Sequence, residues 1–109
     1  MNVIDPVPAL EDLAAAAAKL ERGMVGRAAF GELRSAAANL AKIFHQPDGG
    51  QAHMGQVADG ADRLEEAIAK ARLLPVSLLH RLGPKITRAG QEIAAWGKVQ
   101  ASIARAAQP

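Results

Sequence analysis

A chain of 109 residues, half of them apolar, can form one hydrophobic core, though a small one with little margin. It has no cysteine, which excludes a disulfide framework and a thiolate metal site, and no run approaches the ~20 apolar residues of a membrane span. The net charge of +2 conceals an asymmetry: residues 1–66 carry six Lys and Arg against ten Asp and Glu, whereas residues 67–109 carry seven against Glu92 alone.

A chain divided in this way either pairs its two halves within the fold or offers the basic half to an anionic partner. The opening run MNVIDPVPALEDLAAAAAKLERG has acids at Asp5, Glu11 and Asp12 and lacks the basic start of a signal peptide, so a cytoplasmic location is expected.

Helical periodicity then runs through the chain. Leu10, Leu13, Ala17, Leu20 and Met24 step by three and four and share one stripe of a first helix over 9–23, with Asp5 before Pro6, or Pro8, as its start and Gly23 and Gly26 as its stop. Phe30, Leu33, Ala37, Leu40 and Phe44, widened by Ile43, do the same over 27–46. Pro47, Asp48, Gly49 and Gly50 form the strongest turn signal. Met54, Val57, Ala61, Leu64, Ile68 and Ala71 mark a third helix over 52–74, ended or kinked by Pro75. Ile86, Ala89, Ile93, Trp96, Gln100 and Ile103 mark a fourth over 85–107, with Trp96 as its buried anchor.

No strand-like alternation competes with these patterns. The expected fold is all-α, an antiparallel four-helix bundle forming a single helical domain over 1–109, with alanine-rich, closely packed seams.

Between the third and fourth helices lies LLPVSLLHRLGP, Leu73 to Pro84, the most apolar run in the chain. With Ser77 as cap and Gly83 and Pro84 as terminators it reads as a short amphipathic connector, with Leu78, Leu79 and Leu82 on one side and His80 and Arg81 on the other. Its leucines either plug the end of an alanine-rich core or remain exposed for a partner or a second copy of the chain.

Signatures of chemistry are absent from the sequence. His45 and His53 flank the glycine turn around Asp48 but match no helical ligand pair, and the Glu-x-x-His of di-iron bundles does not occur. Asp59, Asp62, Glu65 and Glu66 read as a solvated helix face beside Arg63. PDGGQAHMG has neither the leading strand nor the Lys-Ser/Thr ending of a phosphate loop, and no serine sits in a nucleophile elbow. No catalytic residue, cofactor or metal is therefore expected.

EIAAWGKVQASIAR, Glu92 to Arg105, has the alanine–glycine order of a helix-turn-helix, but Gly97 follows Ala94 by three residues instead of four and Lys98 precedes Val99. One straight helix explains it better. That helix carries a polar, basic stripe about 25 Å long with Arg88, Lys98 and Arg105.

The expectation is thus a non-enzymatic helical protein–protein interaction module that self-associates and does not engage membrane. Its partner-binding residues are Leu74, Leu78, Leu79, Leu82, Arg88, Lys98 and Arg105, and its partner is a protein with an acidic surface. The alternative is weak, salt-sensitive binding of nucleic acid along the fourth helix.

Overall fold

Asp5 caps the first helix by accepting a hydrogen bond from the Val7 backbone N–H at 3.1 Å, and Pro6 occupies the first helical position, where its missing donor costs nothing. From there the structure, a computed structural model describing residues 5–23, 25–48 and 51–107, is helical. Its helices are α1 (Pro6–Glu21), α2 (Arg27–Phe44), α3 (Met54–Ala71), the short α4 (Val76–Leu82) and α5 (Pro84–Ala106). A 3-10 turn, Gln51–His53, leads into α3, and no strand occurs among the described residues.

Local chemistry sets the joints. Gly26 enters α2 with a left-handed φ of 77°, and its carbonyl accepts from the Phe30 N–H. Asp48 accepts from the Ala52 N–H at 2.9 Å, tying the turn before α3; Gly49 and Gly50, expected in that turn, lie outside the described residues. Ser77 does not cap α4. It lies exposed inside the first turn, and the Pro75 carbonyl accepts from Leu78 and Leu79. Gly83, at φ 98°, ends α4 and starts α5, its carbonyl accepting from both the N–H and the hydroxyl of Thr87.

α1 packs along α2, α2 along α3, and α3 along α5; a shorter seam joins α5 to α1, and α4 packs on α1 and α5. The molecule measures 49 × 24 × 21 Å. The expected stripes of the first three helices face the core: Leu10, Leu13 and Ala17, then Phe30, Leu33, Ala37, Leu40 and Phe44, then Val57, Ala61, Leu64, Ile68 and Ala71 are all buried. Leu20, Ile43 and Met54 are half-buried, and Met24 lies outside the described residues. The third helix ends at Ala71, three residues before its expected end, and leaves Arg72 to Pro75 as a link.

α5 departs from expectation. It turns Gly90, Ile93, Ala94, Gly97 and Ala101 to the core, whereas Trp96 and Ile103 of the expected stripe are 46% and 58% exposed, with Val99 beside them at 55%. The reason is steric: where Gly90 and Gly97 face inward, Leu13 and Ile68 approach one and Val57, Ala61 and Phe44 the other, closer than a helix with large inward side chains would allow. Trp96 lies tilted at 45° against Phe44, with ring centroids 5.5 Å apart.

Candidate partner-binding groove

The link Arg72 to Pro75 and the seven residues of α4 turn the chain sharply, so that α4 stands off the start of α5. An open groove of about 520 Å³ lies between them. Its apolar lining is Val76, Leu79 and Pro84, and Arg72, Lys85 and Arg88 line it together with His80. No lining residue is acidic.

The expected partner-binding residues divide here. Leu79 and Arg88 meet in the groove. Leu82 does not, because it is 1% exposed and packs into the core. Leu78 and Leu79 are half-buried, Leu79 against the core cluster. Leu74 is half-buried and leans on the α1–α2 joint, with its Cδ1 2.9 Å from where a Cβ would stand on Gly26. His80 and Arg81 are exposed, as their side of the connector requires.

Lys98 leaves the basic stripe for an internal role. Its Nζ lies 3.0 Å from Asp62 and 2.8 Å from Glu65 of α3, and those hydrogen bonds, Glu65 first, hold its ammonium above the ordinary value. Asp62 and Glu65, expected to be merely solvated, are thus partly neutralised. Arg105, exposed near the far end of α5, is not part of the groove.

The charge asymmetry is met in part within the fold. Glu32 pairs with Lys70 at 3.0 Å, and Asp62 and Glu65 pair with Lys98, so acids of the first part do neutralise bases of the last. Within the first part Arg34 grips Glu21 with two nitrogens, which holds the Glu21 carboxyl below its ordinary value. Arg72, Arg81, Lys85, Arg88 and Arg105 form no ion pair among the described residues, and three of these five rim the groove.

The sequence alone did not single out Leu73 or Val76, the two most exposed large apolar side chains among the described residues at 87% and 69%. The signal was the Pro75 between them: it ends the third helix early, so Leu73 falls past the core-facing stripe and Val76 on the outer side of a new turn. Arg72 and Lys85 were missed for the same reason, since only the turn at α4 brings them together.

His45, His53 and Asp48 do not converge, and no group of three or more His, Asp and Glu suited to a metal occurs among the described residues. No helix among them is long and apolar enough to cross a membrane. Compared with protein-family models, curated proteins and solved structures, the chain matches none.

Proposed function

We propose that this chain is a non-enzymatic helical protein–protein interaction module, a single antiparallel four-helix bundle whose α4–α5 corner docks another protein. One observation carries the reading: a groove with apolar lining from Val76, Leu79 and Pro84, with Leu73 exposed nearby, is also lined by cations that form no ion pair among the described residues. Exposed apolar side chains grouped within a polar rim are the composition of a binding surface, whereas singly scattered ones carry no such meaning. The packing order α1–α2–α3–α5, with short joints between successive helices, supports the bundle.

A second copy of the chain is proposed to cover the other apolar face, Trp96, Val99 and Ile103 on α5, making the protein a homo-oligomer. The cysteine-free composition is compatible with a cytoplasmic setting.

Calorimetric titration of a co-purifying protein against wild-type chain and the Val76→Ser and Leu79→Ser variants tests the docking reading. Weakened binding with the helical content retained is expected. Unchanged binding by both variants removes the groove from the interface.

Nucleic-acid binding along α5 is the second reading, favoured by Arg88 and Arg105, which are exposed and form no ion pair among the described residues. With Lys98 held by α3, two cations of the stripe remain, so any such affinity is weak and falls steeply with salt. A salt titration with nonspecific DNA decides it, and no binding at low salt removes it.

A further inference from the structure

We propose that the α4–α5 groove takes an acidic peptide segment of the partner protein, with an apolar side chain seated on Val76, Leu79 and Pro84 and carboxylates paired with Arg72, Lys85 and Arg88. The inference rests on the docking reading above and adds the chemistry of the occupant. Charge complementarity carries it. Lys70, Lys98 and Arg34 find carboxylates inside the fold, while the three groove cations find none among the described residues, and no residue lining the groove is acidic.

The surrounding backbone adds to the imbalance. Lys85 and Arg88 lie at the start of α5, where the helix dipole is positive and the first turn has no acid to offset it.

The apolar lining selects among anionic occupants. A phosphodiester backbone has no apolar side chain to place on Val76 and Leu79, and the groove has no aromatic ring on which a base could stack. Phe30 and Phe44 are buried, and Trp96 lies more than two turns along α5 from Arg88. A membrane surface meets convex apolar features, but this site is concave. A volume of about 520 Å³ suits a few side chains of a peptide segment.

Fluorescence anisotropy tests the assignment, with three labelled probes: a short peptide of Glu and Leu at helical spacing, its Lys and Leu counterpart, and a single-stranded oligothymidine. Vesicles of phosphatidylserine and phosphatidylcholine are tested by flotation. The proteins are wild type, Lys85→Glu/Arg88→Glu, Val76→Ser, and Lys42→Glu as a charge control on α2. All the changed side chains are exposed, so circular dichroism should be unaltered.

The expected result is that wild type and Lys42→Glu bind the Glu/Leu peptide, that Lys85→Glu/Arg88→Glu weakens it by roughly tenfold or more, and that Val76→Ser also weakens it. Equal binding of the Lys/Leu peptide overturns the inference. So does undiminished Glu/Leu binding by the charge-reversed protein, but if Val76→Ser still weakens it the docking reading survives. Oligothymidine or vesicle binding that is lost on charge reversal, with no peptide binding, overturns both. Failure of every probe to bind wild type overturns the acidic-peptide assignment.

Discussion

Leu13 of α1 closes on Gly90 of α5 so tightly that a Cβ built on Gly90 would stand 2.7 Å from Leu13 Cδ2. Leu13 is fully buried, so its end has nowhere to swing. Gly90→Ala should therefore overpack the seam and cost about 1–3 kcal/mol, more than the ~1 kcal/mol that alanine gains over glycine in a helix. Urea unfolding measures it. Truncating Leu13 to alanine should remove most of the added penalty, so the two changes together cost less than their sum. Strict additivity would show that the two helices do not meet there.

Gly31 supplies the contrast. A Cβ there would come within 2.9 Å of a Glu21 carboxylate oxygen, the far end of a flexible side chain that can shift within its grip on Arg34. Gly31→Ala should be neutral or stabilising by up to about 1 kcal/mol. A clear loss of stability in the same urea experiment would mean that the Glu21–Arg34 geometry is more rigid than its partial exposure implies.

That pair also sets a pH dependence. The Arg34 hydrogen bonds lower the Glu21 carboxyl below its ordinary 4.5, so folding favours the ionised form. Its contribution is complete above the unfolded value and is lost as pH falls through the lowered, folded one. Lys98 runs in the opposite sense: its ammonium is raised above 10.5, and its contribution holds below that value and is lost as pH rises through the folded one. Glu21→Gln should be less stable than wild type near neutrality and approach it in acid. A difference that persists at low pH would assign the loss to packing. Both pairs are partly exposed, so the effects should be small and shrink with salt.

These relationships show what could be read from the sequence. In α2 and α3 the large side chains themselves mark the buried face, and Phe30 through Phe44 and Val57 through Ala71 were legible from spacing alone. In α5 the largest side chains and the buried face part company. Gly90, Ala94, Gly97 and Ala101 step by four, three and four, a signal of close approach that a search for bulky residues passes over. Leu79 and Arg88 were legible as candidate residues, but their meeting in one groove with Arg72 and Lys85 was not. It depends on the angle at which Pro75 and Gly83 set α4, which spacing does not encode.

Trp96, the only tryptophan, is 46% exposed and touches the core through Phe44. Trp96→Ala should cost about 1–3 kcal/mol, below the 3–5 kcal/mol of a fully buried aromatic, because about half of its surface is already in water. Native emission should lie between the buried and solvated limits and be partly quenched by iodide. Rising concentration should shift it to the blue and protect it if a second copy covers Trp96, Val99 and Ile103. Emission and sedimentation that stay monomeric at high micromolar concentration would remove self-association through α5.

The connector separates stability from binding most cleanly, because Leu82 and Val76 occupy one seven-residue helix and are 1% and 69% exposed. Leu82→Ala should leave a cavity in the core and cost about 2–5 kcal/mol. Val76→Ser removes little buried area and should stay within about 0.5 kcal/mol of wild type while weakening partner association. Leu79 faces both ways, packed on the core and lining the groove, so Leu79→Ser should lower stability by less than Leu82→Ala and binding by at least as much as Val76→Ser. Thermal melts and binding isotherms on the same three proteins give the ordering. If Val76→Ser melts as early as Leu82→Ala, α4 acts as a plug along its whole length and the groove is not a free surface.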